Sequence, residues 1–436
     1  MFYHIITYGC QMNVHESEKL AGMLENLGYV STPKKEDADV ILFNTCCIRD
    51  TAERRAYGNI AALKKLKKNK PDLIIGVCGC MPQQDSSKTY LETKMPHVDI
   101  VFGTHNLHKF SEMLQNCLKD KKRIIETWGD SVLQPANTPM TRTSGVNAWV
   151  NITYGCNNYC TYCIVPYVRG REISRPMNEI IEEVKQLLKS EQYSEITLLG
   201  QNVNSYGNDL KDGTTFAKLL ENIAILDGEF RLKFMTSHPK DIKDEVIDTI
   251  AKYKKISRLI HLPVQSGSNA ILKAMNRRYT REYYLERVNY IRQQMPDAGL
   301  SSDIIVGFPG ETEQDFLDTL SLVKEVGYSN LYMFMYSPRK NTPAASMPNQ
   351  IDELVKKERV KKLIELQRGL MRENAKQSIG KKYRALFEEF KDGVLSAVTD
   401  CGKLVFINNA SKELVGKFGE VLITSAKSGR LIGELV

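Results

Sequence analysis

The stretch Ala148–Gly170, AWVNITYGCNNYCTYCIVPYVRG, decides how the chain is read. Its first seven residues are rich in aromatic and β-branched side chains and predict a strand. The loop that follows carries Cys156, Cys160 and Cys163 in a C-x3-C-x2-C pattern. Three thiolates at this spacing can hold three irons of a cubane cluster and leave the fourth iron with open positions. The amino and carboxylate groups of S-adenosylmethionine can chelate that iron and receive an electron. Such a geometry is what reductive cleavage to a 5'-deoxyadenosyl radical requires. A zinc site is the competing reading, but structural zinc takes four protein ligands, and no nearby fourth Cys or His accompanies these three.

Downstream the same strand-and-helix alternation continues through EITLLG (195–200), FRLKFMTS (230–237), RLIHLPVQ (258–265), SSDIIVGF (301–308) and NLYMFMYS (330–337). Six such repeats fit a partial (β/α)6 barrel better than a full eight-unit one, with active-site residues at the carboxyl ends of the strands. Upstream, FYHIITYG (2–9), ADVILFNT (38–45) and LIIGVCG (73–79) read as strands, and Glu16–Leu27 and Asp50–Lys68 as the helices between them. That alternation implies an α/β domain with a parallel sheet, whose ligand sites lie beyond the strand ends. Cys10, Cys46 and Cys80 each follow one of these three strands, so residues far apart in sequence converge on one rim. Three thiolates there make a plausible second cluster socket.

The stretch LQPANTPMTRTSG (133–145) has the Pro, Thr and Gly density of a linker and sets a boundary near Arg142. After Pro348 a charged helix, Asp352–Lys376, carries a basic cluster of Lys356, Lys357, Arg359, Lys361 and Lys362, read as a solvated face. The last segment, from KYRALFEEF (382–390) onward, consists of short strands punctuated by Gly and Asn and reads as a small antiparallel β-barrel. The expected domains are therefore 1–130, 143–378 and 379–436.

Length and composition bound the rest. A chain of 436 residues is long enough for two or three domains. No apolar run approaches the roughly 20 residues of a membrane-spanning helix, and MFYHIITYG is not a secretion signal. The expectation is a soluble, cytoplasmic protein with no membrane partner. Ten cysteines in that compartment point to metals or catalysis and away from a disulfide scaffold. The formal charge of +8 suits a nucleic-acid partner but is equally a solubility device.

Taken together, the barrel motif, TYGCQMN (7–13), NTCCIR (44–49) and GCM (79–81) make the chain resemble the radical S-adenosylmethionine superfamily, and within it the methylthiotransferases. HLPVQSGSN (261–269), MNRRYTREYY (275–284) and DIIVGFPGET (303–312) resemble the branch that acts on isopentenyl-adenosine in tRNA. The resemblance covers nearly the whole chain. It implies an N-terminal cluster domain, a radical barrel and a C-terminal RNA-binding barrel called TRAM. It makes Cys10, Cys46 and Cys80 ligands of an auxiliary 4Fe-4S cluster that handles sulfur, and Cys156, Cys160 and Cys163 ligands of the radical 4Fe-4S cluster. S-adenosylmethionine is then both methyl donor and radical source. The implied partners are a tRNA bearing isopentenyl-adenosine next to the anticodon, an electron donor such as flavodoxin or ferredoxin, and a sulfur source.

Other residues are candidates for the cofactor site. Tyr162 either packs near the adenine of S-adenosylmethionine or lies beneath the cluster loop. Gly200, Gln201 and Asn202 either contact the ligand or only make the turn. Gln265, Gly307 and Glu311 follow barrel strands on the expected rim. His261 reads as a core histidine, Cys47 and Cys78 as packing thiols, and Cys117 and Cys401 as structural. Sister readings are methylthiolation of threonylcarbamoyl-adenosine in tRNA or of a ribosomal-protein aspartate. A different class is a redox-sensing RNA-binding protein, which has no need to consume S-adenosylmethionine.

Overall fold

The computed structural model describes residues 1–47, 50–127, 133, 135, 138–142, 145–427 and 429–436. The linker reading at 133–145 and the boundaries at 130 and 143 fall partly outside these residues. The chain forms two compact units. One holds Met1–Ser144, Thr153–Asn157 and Cys163–Arg175, and the other holds Gly145–Ile152, Asn158–Tyr162 and Pro176–Val436.

The first unit is built on a parallel sheet of β1 (Phe2–Thr7), β2 (Val30–Ser31), β3 (Val40–Thr45), β4 (Ile74–Gly79), β5 (Ile100–Phe102) and β6 (Ile124–Glu126), in the order β2-β1-β3-β4-β5-β6. Its central strands, VILFNT and IIGVCG, are buried along their whole length. That is the sequence signature of a parallel sheet covered on both faces. Leu42 faces the helices Gln11–Asn26 and Phe110–Asp120, where Leu20, Leu24, Phe110 and Leu114 pack. Its neighbours Ile41 and Phe43 face the opposite side, against Ala56, Ile60 and Leu63. A short antiparallel pair, β8 (Thr153–Tyr154) with β9 (Ile173–Ser174), completes the unit.

The first helix begins at Gln11 with Cys10 as its N-cap, five residues before the sequence-derived start at Glu16. Its opening turns carry Asn13, Glu16, Ser17 and Glu18, all buried, so no apolar stripe announces them.

In the second unit six parallel strands follow one another in chain order: β7 (Asn147–Asn151), β10 (Glu195–Leu199), β11 (Arg231–Phe234), β12 (Leu259–His261), β13 (Gly299–Val306) and β14 (Asn330–Met335). They form two three-stranded sheets joined by a parallel bridge between Leu232 and Ile256. All six strands read from the sequence are present.

The C-terminal barrel comprises β15 (Lys382–Lys391), β16 (Val394–Thr399), β17 (Leu404–Asn408), β18 (Phe418–Lys427) and β19 (Arg430–Leu435), closed in the order β15-β16-β17-β19-β18. Four of its five seams are antiparallel, as expected, and β17 and β19 run parallel. Parity requires this. Five strands in a closed ring cannot alternate direction at every pairing, so at least one must be parallel.

This barrel docks on the starts of the parallel strands. Arg231, at the first position of β11 and 1% exposed, donates from Nε to Glu195 at 2.6 Å and from Nη1 to the Val398 carbonyl at 2.7 Å. Its Nη2 reaches Glu388 at 2.9 Å. The basic helix runs Glu353–Lys376 with Asp352 as its N-cap. Its reading as a solvated face is corrected for Lys356 and Arg359, which are buried: Arg359 pairs with Glu311 at 2.7 Å and with Glu313 at 3.4 Å, and Lys356 lies beside Gly307.

Candidate functional site

Adjacent parallel strands lie roughly 4.8 Å apart, so side chains at one level on β1, β3 and β4 are near neighbours. Thr7 pairs with Asn44, and Thr45 with Gly79. Cys46 and Cys80 therefore leave the sheet at the same level, and the Cys80 N–H donates to the Thr45 carbonyl at 2.9 Å. Cys10 lies three residues beyond β1. The turn between them includes Gly9, at φ +123°, where a side chain's Cβ would stand 2.6 Å from Cys46 Cβ and 3.2 Å from its Sγ. The rim convergence expected from the sequence is what the strand order and register produce.

Buried amides hold this rim. Asn13 Nδ2 donates to the carbonyls of Tyr8 at 2.9 Å and Thr45 at 3.1 Å, tying the ends of β1 and β3 to the first helix. Asn44 Nδ2 returns the bond to the Asn13 carbonyl at 2.8 Å and reaches Ser17 Oγ at 3.0 Å. Thr45 Oγ1 donates to the Cys78 carbonyl at 2.5 Å.

A buried cation sits against the thiols. Arg169, 6% exposed, donates from Nε to Cys80 Sγ at 3.2 Å. The Cys80 thiol falls to about 7, first because the Cys47 thiol donates to it and then, against the cost of burial, because Arg169 is close. Cys47 is pushed well above the usual range by the same hydrogen bond and by burial. Loss of water raises Cys10, and the charge of Arg169 opposes that rise. Three thiols on neighbouring strand ends, one of them favoured as thiolate, are a donor set that fits an iron-sulfur cluster. Among the described residues no three His, Cys, Asp or Glu side chains gather closely enough to share a single metal ion. Cluster thiolates bind separate irons and need not approach one another in that way.

Cys160, in the second unit, has its own buried cation. Arg277, 4% exposed, donates from Nη1 to Cys160 Sγ at 3.4 Å, from Nη2 to the Pro263 carbonyl at 2.8 Å and from Nε to Tyr279 Oη at 2.8 Å. The neighbouring chain is pinned to residues 274–276. The Thr161 N–H donates to the Met275 carbonyl, its hydroxyl to the Ala274 carbonyl, and Asn276 Nδ2 to the Tyr159 carbonyl. Cys156 and Cys163 belong to the first unit, where the Cys156 N–H donates to the Gly170 carbonyl at 3.2 Å.

Beyond the ends of β10 and β11 the second unit collects buried polar atoms. Asn202 Nδ2 donates to Asp241 at 2.7 Å, and Asn204 Oδ1 accepts from the His238 N–H at 3.1 Å. Among the described residues, Asn202 Oδ1, Asn204 Nδ2, Ser237 Oγ and His238 Nε2 are buried without a hydrogen-bond partner. A ligand rich in polar groups would satisfy them, so this rim fits S-adenosylmethionine. Burial, with Arg277 and Lys240 nearby, holds His238 neutral far below its usual range.

The other sequence-derived residues are placed as follows. Tyr162 stands edge-on to Phe308 at 6.5 Å, against Ile271 and Met275. Gly200 is buried after β10, and Gln201 follows it half-buried. Gln265, at φ +73°, bridges to Ile304. Glu311 accepts from the Gly307 N–H at 2.7 Å and pairs with Arg359. His261 is half-buried, with Nδ1 3.0 Å from Ser301 Oγ. Cys78 and Cys117 lie in the core of the first unit, and Cys401 lies beside Thr399 in the small barrel. Sequence reasoning missed Asn13, Glu16, Asn44, Arg169, Ser237, His238 and Arg277. The one available signal was charge and amide density around GCQMN, where a helix opens with polar residues on every face.

Comparison with known proteins gives consistent matches. Residues 150–323 match the Radical SAM superfamily, residues 2–103 the uncharacterized protein family UPF0004, and residues 376–436 the TRAM domain. A protein of Carboxydothermus hydrogenoformans named tRNA-2-methylthio-N(6)-dimethylallyladenosine synthase is 49% identical over 437 residues, covering 100% of this chain and 99% of its own length. Proteins of the same name from Thermoanaerobacter pseudethanolicus and Clostridium tetani are 50% and 51% identical, over 100% of this chain and 93% and 96% of theirs. Among solved structures, the radical S-adenosylmethionine methyltransferase TsrM of Kitasatospora setae aligns with a TM-score of 0.55 at 13% identity, over 79% of this chain and 75% of that one. The cobalamin-dependent radical enzyme OxsB aligns at 0.53 and 13%, over 83% and 56%. These two likenesses concern the fold.

Proposed function

The chain belongs to the tRNA-2-methylthio-N(6)-dimethylallyladenosine synthase family of radical S-adenosylmethionine enzymes, and from that membership we propose how its residues share the reaction. It is a methylthiotransferase that replaces the hydrogen on carbon 2 of N(6)-isopentenyl-adenosine in tRNA with a methylthio group. That hydrogen is unactivated, and acid-base chemistry does not remove it, so cofactors carry the hard step. When bound, S-adenosylmethionine and two 4Fe-4S clusters supply a methyl group, an electron, a carbon radical able to take the hydrogen, and a carrier for sulfur.

The protein's part is to hold and orient. Cys156, Cys160 and Cys163 would bind the radical cluster, with Arg277 steadying the Cys160 sulfur through its 3.4 Å hydrogen bond. Cys10, Cys46 and Cys80 would bind the auxiliary cluster. The unpartnered atoms of Asn202, Asn204, Ser237 and His238 offer donors and acceptors to S-adenosylmethionine, together with Gly200, Gln201 and Gln265. His238, held neutral, presents a hydrogen bond without adding charge. Tyr162 supports the cluster loop from below, and Glu311 fixes the turn at Gly307. The adenine reaches the barrel rim only when splayed from the single-stranded anticodon loop, the form in which proteins read RNA bases most readily. Electrons come from a donor such as flavodoxin or ferredoxin, and sulfur from a separate source.

The observation that carries the two-cluster reading is the level placement of Cys46 and Cys80 on adjacent strands, beside Cys10 and a buried arginine. The test is anaerobic reconstitution with iron and sulfide, followed by reductant, S-adenosylmethionine and isopentenylated tRNA, with mass spectrometry of the digested nucleosides. A methylthio adduct on the isopentenyl-adenosine is the expected product. Cleavage of S-adenosylmethionine without that adduct would reject the substrate and turn attention to threonylcarbamoylated tRNA.

A further inference from the structure

Arg169 follows the third cysteine of the C-x3-C-x2-C loop by six positions, yet all its side-chain bonds go to the N-terminal sheet and helix. Nη1 donates to Glu16 Oε1 at 2.7 Å and stands 2.9 Å from Met12 Sδ. Nη2 donates to Asn13 Oδ1 at 3.0 Å and to Glu16 Oε2 at 3.2 Å. Glu16 thus grips the outer edge of the guanidinium with both oxygens, a planar fork geometry that a lysine cannot reproduce. Because the outer edge is fixed, the Nε–H has one direction left, and it meets Cys80 Sγ at 3.2 Å. Glu16 and Arg169 are 5% and 6% exposed, so solvent does little to screen the pair. The backbone is held as well, through Thr104 Oγ1, which donates to the Val168 carbonyl at 2.9 Å. Ile164 and Val168 pack with Cys47 and Cys80.

We propose that Arg169 is a positioning residue for the auxiliary cluster, fixing the Cys80 sulfur as an iron ligand and raising that cluster's reduction potential. This rests on the assignment of Cys10, Cys46 and Cys80 as its ligands. Hydrogen bonds to ligand sulfur and nearby positive charge favour the more negative, reduced cluster. An arginine contributed by the segment just after the radical-cluster cysteines therefore sets the electron affinity of the sulfur-handling site.

The test uses the full chain with Cys156, Cys160 and Cys163 replaced by alanine, so that only the auxiliary cluster is present. Iron content and midpoint potential are read by redox titration followed by electron paramagnetic resonance. In Arg169→Met the ratio of reduced to oxidised cluster at fixed potential should fall at least tenfold, a shift of about 59 mV for one electron. Arg169→Lys should fall between that and the native residue. An Arg169→Met protein with native iron content and native potential overturns the proposal. If Arg169→Met binds no iron, Glu16→Gln decides by the same titration, because it leaves the arginine but loosens its grip. An unshifted potential there overturns the proposal too. Absence of any cluster while Arg169 is still native would instead reject the Cys10, Cys46 and Cys80 assignment itself.

Discussion

Cys46 and Cys47 are adjacent, yet the chain gives them opposite tasks. The side chain of Cys46 lies against Gly9 at the rim, whereas Cys47 turns toward Ile164 and Val168 and donates to the Cys80 sulfur. Cys46→Ala should therefore strip iron from the N-terminal socket, and Cys47→Ala should keep it. Iron and sulfide analysis after reconstitution, with the barrel cysteines replaced, checks this, and iron loss in Cys47→Ala would move the ligand by one position. Two buried histidines make stability depend on pH. His238 and His15 are both held neutral by desolvation and nearby cations, so their folded pKa lies below the unfolded value near 6.5. The unfolded chain then binds more protons as pH falls, and stability is lost below that value. Between pH 6.5 and 5.5 each should cost about 1 kcal/mol. His238→Gln should gain on the native chain by that amount over the same interval in urea titrations, and parallel curves would contradict it. At this scale the placement of Cys10, Cys46 and Cys80 beyond neighbouring strand ends was legible, because strand patterning exposes it. Arg169, Glu16 and Asn13 were not, because their contacts join positions more than 150 residues apart.

At the scale of elements, apolar periodicity gave the central strands of the first sheet and all six strands of the second unit. It failed at the first helix, where residues buried around the rim are polar, and at the β17–β19 seam, which follows from closure and leaves no local mark. It also failed for Arg359, whose charge looks solvated until Glu311 is brought against it, and for Lys356, buried against Gly307. The turn after β13 shows how such a contact constrains backbone. Gly307 has φ +70°, and a Cβ there would stand 2.3 Å from Lys356 Cγ, whereas Gly310 has φ +81° with nothing within 4 Å. Gly310→Ala should cost about 1 kcal/mol through backbone conformation alone. Gly307→Ala adds a clash with the basic helix and should cost about 2–4 kcal/mol. Thermal unfolding of the two variants side by side measures the difference. Equal losses would mean that Lys356 moves aside freely.

At the scale of the second unit, the small barrel sits on the starts of the parallel strands, while the buried polar rim proposed for S-adenosylmethionine lies beyond the ends of β10 and β11. Arg231 fixes this arrangement by joining Glu195 on one side to Glu388 and Val398 on the other. Burial raises the Glu388 carboxyl, and Glu195 raises it further, against the pull of Arg231. On the proposed reading, a tRNA gripped by the small barrel would reach along the parallel barrel to the proposed rim, and gripping should be separable from chemistry. Lys391, Lys412 and Lys427 are exposed on the small barrel. If they contact phosphates, changing all three to Gln should weaken tRNA binding. It should also flatten the dependence of log affinity on log salt by about 0.7–0.9 per lost contact. Cleavage of S-adenosylmethionine without tRNA should stay at the native rate, because the cofactor rim is untouched. Filter binding across a salt series, paired with that cleavage assay, reads both quantities. An unchanged salt slope would make the barrel a packing element and place the phosphate contacts elsewhere on the chain.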